Sequence, residues 1–446
     1  MSLHLSDLAP CFEGVIPSII ATAAADGMPN ISYLSHVVRV DDDHVALSNQ
    51  FFAKTAANIR ANPHVALIIV DGFTGVQYLL DIRFVRSIDT GPLFDRISLQ
   101  LKASSALVGM SDVMRLRSAD IFRVLGIEPV RSPVETAAAP RPRAAVNLPA
   151  LADAGRAIEN QTDVESIIDD LLHGVSSVLG YQHALVLIPD TCRGCLITTG
   201  SIGYGQSGLG SEISVTDGLI GAAATSGNTI KVSDMSRVRR YGEAVVADAE
   251  MSEDTAHAVT FPQLPSAMSQ IAVPMKVRGE TVGIIFVESP ERMAFRDEDE
   301  AALEILARQA AQALKTSERA EEAAEFTFAP PPPAKLAEGP EIRVVYHSID
   351  DSIFIDGTYV VKGIAGALLR LMLACHRDEG RTEFSNRELR LALAARMPDI
   401  KDNLETRLLL LRRRLEEKRA PIQVVRTGRG RLCVEAQGQP LLIAAE

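Results

Sequence analysis

The sequence predicts a multidomain α+β protein with three folded segments, and three observations carry this prediction. With 446 residues, the chain is longer than one hydrophobic core usually organises. Two stretches, 128–149 and 320–340, are rich in Pro and Ala and lack periodic apolar positions, as linkers do. The remaining segments, 1–127, 150–319 and 341–446, each have their own order of strand and helix signals. We therefore expect an antiparallel β-barrel, then an α/β sandwich with an antiparallel sheet, then a strand-rich unit with three helices.

Composition and charge narrow the class of protein. Hydrophobic residues make up 47% and charged residues 23% of the chain, which is typical of globular domains. The net charge is −12, yet residues 341–446 contain 18 Lys/Arg and 15 Asp/Glu, a net charge of +3, which leaves −15 for the first 340 residues. Residues 401–431 alone contain ten basic and four acidic side chains. Because acidic surfaces repel nucleic acid, we expect a polyanion to bind at this basic stretch.

Cysteine usage and hydropathy predict a cytoplasmic protein without a membrane partner. The five cysteines, an odd number, are spread thinly, and the N-terminus lacks the pattern of a secretory leader. Such usage favours a reducing compartment. No apolar run approaches the roughly 20 residues that a membrane-spanning helix needs.

The first segment alternates short β-rich runs with turn signals. The runs are IPSIIATA, NISYLSHVVRV, HVALSN and VALIIVD, and the turns lie at Asp26-Gly27 and at 41–43. This spacing favours an antiparallel barrel. The stretch FFAKTAANIRANP, with its helix-forming alanines and its Asn-Pro end, predicts one helix between the third and fourth strands.

Residues 10–125 resemble the pyridoxamine 5'-phosphate oxidase-like split-barrel family. The resemblance is carried by the stretch ATAAADGMPNISYLSHVVRV and by the stretch that follows it, DDDHVALSNQFFAKTAANIRANPHVALIIVD. That family binds FMN at a dimer interface. The resemblance implies that the flavin phosphate is held at the end of one strand and the start of the next helix, and that the preceding strand lines the flavin ring. The implied phosphate residues are Ser48, Asn49, Gln50, Lys54 and Thr55, and the implied ring residues are Ser35, His36 and Val37.

The chemistry of the implied phosphate site is sound, but each residue also has an ordinary structural explanation. A lysine is a point charge for phosphate, and a helix N-terminus presents free N–H groups to the same anion. Alternatively, Lys54 is a solvated lysine at a helix start and His36 is a satisfied barrel residue. The basic and aromatic residues with which vitamin oxidases hold pyridoxamine phosphate are not found, so we expect no such oxidation. Other barrels of this kind bind haem or a deazaflavin, and the sequence leaves both as alternatives to FMN as the ligand.

The middle segment combines a helical pattern over 162–180 with the strands ALVLIPD and IAVPMKVRGETVGIIFVES. This order predicts an antiparallel sheet flanked by helices. The segment resembles a GAF domain in Gly218-Leu219-Ile220-Gly221, VSDM, VPM, GIIFVES and the pair Phe295 and Asp297. The resemblance implies binding of a small molecule. The signature of cyclic-nucleotide-binding members is absent, so cyclic GMP is not expected.

Two further features of the middle segment have competing interpretations. Cys192 and Cys195 form a CxxC pair, which is either a hairpin with ordinary cysteines or a redox pair; without a second ligand pair nearby, we expect no metal site. The helical stretch 298–325 has small and apolar residues at imperfect heptad spacing. It is either a dimer stem or a single packed terminal helix.

The last segment has the element order of a winged helix. Strand-like runs, IRVVYHSI and SIFIDGTYVV, turn at Asp356-Gly357, which is a strong hairpin signal. Helical patterns follow over 364–374, 385–395 and 403–418, with Ser385 as the cap of the second. A final hairpin, IQVVRTGRGRLCVE, turns at 428–430.

The segment resembles the OmpR-type winged-helix family in its strand platform, in LRRRL at 411–415 and in the basic wing at 425–431. The resemblance implies that Asn403, Thr406 and Arg407 face base edges in the major groove. It also implies phosphate contacts by Arg413 and Arg414 and by the wing arginines Arg426, Arg429 and Arg431. Arg431 stands where the wing aromatic of the family is usual. Alternatively, Arg412 to Arg414 form a solvated face with i,i+4 pairs.

Together these features predict a homodimeric one-component transcription regulator in which FMN or another small ligand controls a DNA-binding winged helix. No receiver domain precedes the C-terminal segment, so phosphorelay control is not expected. Alternatives are an FMN-dependent oxidoreductase with appended regulatory domains, a haem-binding redox sensor, and a scaffold whose winged helix binds protein.

Overall fold

A computed structural model describes residues 3–34, 36–50, 53–106, 115–131, 143–191, 193–236, 259–324, 339–394, 404–428 and 430–445. Within these residues the chain forms four sheets, which are arranged in three successive units. Most of the two Pro/Ala-rich stretches lies outside the described residues.

The first unit is an antiparallel sheet of seven strands preceded by a 3-10 helix, Leu5–Cys11. Its strands are β1 (Ser18–Ala23), β2 (Pro29–Leu34), β3 (Val37–Arg39), β4 (His44–Asn49), β5 (His64–Val70), β6 (Gln77–Ile88) and β7 (Ser118–Pro129). Its helices are α1 (Ala53–Ala61) and α2 (Pro92–Ala106). The strand order is β2-β1-β5-β6-β7-β4-β3.

The two edges of this sheet are joined by a very short connection. Leu34 ends β2 and Val37 begins β3, yet these strands lie at opposite edges of the sheet. The sheet must therefore curl until its edges approach, which is the geometry of a half-barrel. Large apolar side chains such as Ile20, Leu67 and Phe122 fill its interior. The prediction of a single strand NISYLSHVVRV is wrong, because that run contributes to both edges.

The middle unit consists of a six-stranded antiparallel sheet covered by helices. The strands are β8 (His183–Asp190), β9 (Cys195–Ile202), β10 (Glu212–Ser214), β11 (Ile230–Val232), β12 (Ser269–Val277) and β13 (Glu280–Ser289), in the order β10-β9-β8-β13-β12-β11. The helices are α3 (Leu148–Asn160), α4 (Val164–Ser177), α5 (Gly218–Ser226) and α6 (Asp297–Ala324). The predicted helix over 162–180 is confirmed as α4, which Asp163 caps by accepting the Ser166 N–H at 3.0 Å.

The apolar side chains of helix α6 pack within the middle unit. Ala302, Leu306 and Ala313 are buried in a core shared with α3, α4 and the sheet. Ile305, by contrast, is exposed. The buried side chains of the stretch thus pack within their own unit, and the dimer stem stays a prediction.

The last unit has a four-stranded sheet, three helices and a three-stranded sheet. Its strands are β14 (Glu341–His347), β15 (Ser352–Ile355), β16 (Thr358–Val361), β17 (Glu383–Ser385), β18 (Ile422–Gly428), β19 (Arg431–Ala436) and β20 (Gln439–Ala445). Its helices are α7 (Gly363–Glu379), α8 (Asn386–Ala394) and α9 (Leu404–Glu417). The sheets have the orders β16-β15-β14-β20 and β17-β19-β18.

Local signals in this unit are confirmed. Asp356 and Gly357 both have positive φ, 47° and 79°, as a two-residue hairpin turn requires. The Ser385 hydroxyl accepts the Glu388 N–H at 3.3 Å, which is the predicted cap. Strands β17 and β20 are additions to the predicted elements, and β20 pairs in parallel with β14. The winged-helix fold as such stays a prediction.

Across the part of the chain that the structure describes, no helix has the length and apolarity to cross a membrane.

Candidate functional site

The residues implied in phosphate binding come together where β4 ends and α1 begins. Ser48, Asn49 and Thr55 line one crevice with Asp120 of β7. The Ser48 hydroxyl is fully buried and accepts the His36 N–H at 3.3 Å. The Asn49 amide donates to the Asp120 carboxylate at 3.2 Å. The sequence missed Asp120, because it lies about 70 residues further along the chain.

The other residues of the implied cradle are divided between interior and surface. The Thr55 hydroxyl accepts a hydrogen bond from the Asn30 amide at 3.0 Å and lies 3.1 Å from the Ser32 hydroxyl, so it joins α1 to β2. Gln50 is buried, whereas Lys54 is exposed. Of this set, Lys54 therefore offers a charge to solvent, and Thr55 is engaged inside the protein.

The residues implied in lining the flavin ring face different surroundings. His36 is only 8% exposed, and its Nδ1 atom has no hydrogen-bond partner in the described structure. Burial lowers the pKa of His36 to about 4, so the ring is neutral at pH 7. It packs against Gly14, where a Cβ atom would lie 3.2 Å from the imidazole. Val37 is part of the barrel core, and Ser35 lies outside the described residues.

The crevice itself is too small for a flavin. Its volume is about 10 Å³, which admits at most one water molecule. Asp120 adds a carboxylate that accepts hydrogen bonds from Ser87 at 2.6 Å and Ser118 at 2.9 Å as well as from Asn49. A phosphate does not fit beside that charge. A flavin phosphate that used this cradle would therefore lie at the surface, beside Lys54.

A larger cavity, about 430 Å³, lies between the barrel and the middle unit. Beside it, the buried Lys231 of β11 pairs with Glu13 at 3.1 Å, Glu300 at 3.5 Å and Asp297 at 3.9 Å. Burial acts to lower the pKa of Lys231, but these carboxylates outweigh burial and raise that pKa above its ordinary value. The ion pair between Lys231 and Glu13 thus links the N-terminal segment of the barrel to the middle unit.

The middle unit has a buried carboxylate on the face of its sheet that α5 covers. Glu288 is 2% exposed and pairs in register with His183 of β8 and Gln270 of β12. It accepts hydrogen bonds from the Tyr204 hydroxyl at 2.8 Å, the Leu264 N–H at 3.0 Å and the Gln270 amide at 2.8 Å. Burial and the neighbouring Glu288 raise the pKa of Tyr204 well above its ordinary value. The sequence motif GIIFVES includes Glu288, but nothing in the motif predicts that this carboxylate is buried.

The predicted base-reading residues of α9 are buried against the middle unit. Arg407 pairs with Asp190, at the end of β8, with 3.3 Å between Nη2 and Oδ2. Thr406 is also buried, and its hydroxyl has no hydrogen-bond partner within the described ranges. Asn403, the third of the set, lies outside the described residues.

The predicted phosphate-binding arginines divide into three groups. Arg413 pairs with Asp169 of α4 at 2.6 Å. Arg414 is buried within its own unit, where it donates to the Val360 carbonyl at 2.9 Å and pairs with Glu417 at 2.6 Å. In the wing, Arg426 is half-buried and Arg431 is exposed, while Arg429 lies outside the described residues. Arg412 and Arg413 thus pair with carboxylates of the middle unit, whereas the alternative interpretation placed them on a solvated face with i,i+4 pairs along their own helix.

The cysteine pair is only partly described. Cys192 lies outside the described residues, and Cys195 is a buried free thiol at the start of β9. Burial raises the pKa of Cys195, so its thiolate is disfavoured. No group of three or more metal-ligating side chains occurs in the ranges that the structure describes.

Comparisons with known proteins match two of the three units. A GAF domain model matches residues 163–314, and a pyridoxamine 5'-phosphate oxidase model matches residues 8–123. The chain therefore contains an N-terminal split-barrel domain of the pyridoxamine 5'-phosphate oxidase type and a central GAF domain. No curated protein matches the chain.

Solved structures resemble single units of the chain. The GAF domain of a phosphoenolpyruvate-protein phosphotransferase from Acinetobacter is 15% identical, with a TM-score of 0.32, over 39% of this chain and 94% of that one. An FMN-binding protein from Syntrophomonas wolfei is 18% identical, with a TM-score of 0.25, over 28% and 86%. Free methionine-R-sulfoxide reductase from Neisseria meningitidis is 19% identical, with a TM-score of 0.30, over 38% and 89%.

Proposed function

We propose that the chain is a one-component regulator that senses small molecules through its barrel and GAF domain and binds double-stranded DNA through a C-terminal winged helix. One observation carries this proposal: the sensor contacts the basic helix directly. Arg407 and Arg413 of α9 pair with Asp190 and Asp169 of the GAF domain. A change in the GAF domain on binding a ligand would therefore reach α9 without an intermediary.

The element order of the last unit supports the DNA-binding part of the proposal. A strand platform precedes three helices, and a hairpin follows the third helix. Residues 401–431 combine that helix and the wing with ten basic and four acidic side chains. This is the charge distribution by which a winged helix holds phosphates.

For the barrel we propose FMN as ligand and a second copy of the chain as partner. The outer face of β2 presents Ile31 and Tyr33, which are 69% and 71% exposed, and Leu79 of β6 continues that apolar face. Such a patch is typical of an interface. A flavin phosphate against Lys54 would lie on the same side of the sheet edge as α1. When bound, FMN would supply a redox-active ring; we propose that the barrel uses it for sensing and not for turnover.

The GAF domain is proposed to bind a small molecule on the sheet face that carries Glu288. A buried carboxylate with Gln270 and His183 beside it offers hydrogen-bond acceptors and donors in one row across three strands. Such a row would orient a ligand by its polar groups.

The experiment that tests this function is selection of duplexes from a random pool by the purified full-length protein at low salt. Enrichment of a shared sequence, with a log-affinity that falls steeply against log-salt, is the expected result. Failure to enrich any duplex, or a flat salt dependence, would remove DNA binding from the proposal. Steady oxidation of a reduced nicotinamide by the purified protein would instead favour an FMN-dependent oxidoreductase.

A further inference from the structure

Helix α9 is attached to the GAF domain by ion pairs of unusual burial. The side chains of Arg407 and Asp190 are 3% and 2% exposed. Arg407 also donates to the Pro189 carbonyl at 3.4 Å. A charge is buried at a large desolvation cost unless a partner of opposite charge accompanies it. Each of these two residues supplies that partner to the other, across the boundary between the two units.

Two carboxylates on one turn of α4 pair with the arginines that follow Arg407 in α9. Glu165 and Asp169 are four residues apart and so lie on one face of α4. Arg412 pairs with Glu165 at 3.1 Å, and Arg413 pairs with Asp169 at 2.6 Å. Arg413 also donates to the carbonyl of Thr199 at 2.8 Å. The acidic face of the GAF domain, defined by Glu165, Asp169 and Asp190, thus follows the basic face of α9 over two turns.

Apolar packing accompanies the charge pairs. Leu409 of α9 belongs to the core of the GAF domain, whereas Ile197 of β9 belongs to the core of the last unit. Gly210 lies beside α9, since a Cβ atom there would be 3.5 Å from Leu410, an ordinary contact distance. Beyond the helix, Glu212 pairs with Arg193 of its own unit at 2.5 Å and, across the boundary, with Lys362 of the last unit at 3.2 Å.

One buried hydroxyl is unsatisfied in this contact. Thr406 precedes Leu409 and Leu410 by three and four residues and so lies on the same face of α9. Its Oγ1 atom has no hydrogen-bond partner within the described ranges. An unmet hydrogen bond is a penalty that release of α9 into water or onto a polar ligand would remove.

We propose that the acidic face of the GAF domain is a binding surface for α9 that competes with DNA, so that the described arrangement lowers the affinity for nucleic acid. This inference rests on the proposed DNA-binding function. The carboxylates hold Arg407 and Arg413, whose guanidinium groups would contact a duplex, and these arginines cannot pair with both at once. A ligand that loosens the GAF domain would release α9 and raise DNA affinity.

The test compares binding of the duplex selected above, and of a random duplex of the same length, by two variants of the full chain. Glu165→Gln with Asp169→Asn removes two carboxylates that face α9. Asp153→Asn with Glu159→Gln removes the same charge from the exposed face of α3 and is the matched control. Because Glu165 and Asp169 are partly exposed, we expect the first variant to fold with an unchanged melting profile.

A rise of about tenfold in affinity for the duplex in the first variant, with no rise in the control, is the expected result. Hydrogen exchange of residues 404–417 should become faster in that variant only. Equal DNA affinity of wild type and both variants would overturn the competition and leave DNA binding intact. Faster exchange without binding of any duplex by any form would overturn both the competition and the proposed function.

Discussion

Arg407 of helix α9 and Asp190 of strand β8 form an ion pair that is almost completely buried although 217 residues separate them in the sequence. Removing one partner leaves the other charge buried and uncompensated. The pair therefore links the stability of the last unit to that of the GAF domain.

We expect Asp190→Asn to lower the free energy of unfolding by about 3 kcal/mol, because Arg407 would stay buried without its counter-ion. Urea denaturation of the full chain measures this loss. Asp153→Asn, an exposed carboxylate on α3, is the matched control and should change the free energy by less than about 0.5 kcal/mol. A similar small effect for Asp190→Asn would show that the buried pair carries no stability.

The lowered pKa of His36 predicts a barrel that weakens in mild acid. The pKa of His36 is about 4 in the folded chain and 6.5 ordinarily. Below pH 6.5 the unfolded chain therefore binds a proton at His36, while the folded chain does not until the pH approaches 4. Stability contributed by the neutral ring is thus full above pH 6.5 and decreases as the pH falls towards 4. The decrease from pH 6.5 to pH 5 should be about 1.5 kcal/mol.

Thermal unfolding of wild type and His36→Gln across this pH range tests the prediction. The difference in stability between the two proteins should narrow as the pH falls, since glutamine does not titrate in this range. A constant difference would contradict it.

Tyr204→Phe removes the hydroxyl that donates to Glu288 while the ring is kept. The buried carboxylate then has one acceptor site unmet, which should destabilise the GAF domain by about 1–3 kcal/mol. Tyr33→Phe removes the same hydroxyl from an exposed side chain and should have no measurable effect. Equal denaturation midpoints for the two variants would show that Glu288 does not depend on Tyr204.

For the barrel, we expect the purified protein to carry or take up FMN and to show the absorption bands of oxidised flavin. Lys54→Gln should weaken FMN binding about tenfold, since a charge-assisted contact to phosphate is lost. Lys102→Gln removes an exposed lysine from α2 and should bind like wild type. A Soret band would identify haem in place of flavin. FMN binding that is unaffected by Lys54→Gln would show that Lys54 does not contact the flavin phosphate.

Self-association through the outer face of β2 predicts that Tyr33→Lys converts a dimer to a monomer, because a charge at the centre of an apolar interface is not compensated. Sedimentation velocity measures the change. Ile349→Lys adds the same charge at a side chain that is 98% exposed in the last unit and should leave the dimer intact. A wild-type protein that sediments as a monomer would reject the interface.

The sequence predicted what depends on neighbouring residues. The Ser385 cap, the Asp356–Gly357 turn and helix α4 need only contacts within a few positions, and each is confirmed. The two-strand character of NISYLSHVVRV was not predictable, because its apolar residues suit one long strand as well as two edges. Likewise, β20 pairs in parallel with β14 about 100 residues away, and no local pattern indicates that partner.

The candidate sites show the same division. Basic residues of α9 are visible in the sequence, but their partners Asp169 and Asp190 lie more than 200 residues earlier and carry no motif. Of the phosphate residues implied by resemblance, Ser48, Asn49 and Thr55 line one crevice, whereas Lys54 lies at the surface. The presence of Asp120 between them and the small size of the crevice depend on packing, which a sequence motif does not specify.

Strands β14 and β20 lie side by side in parallel from Glu341↔Gln439 to His347↔Ala445. Strand β14 lies between β15 and β20 in its sheet, so β20 covers an edge that would otherwise expose a row of unpaired backbone groups. Loss of β20 would therefore turn β14 into an edge strand that another chain could extend.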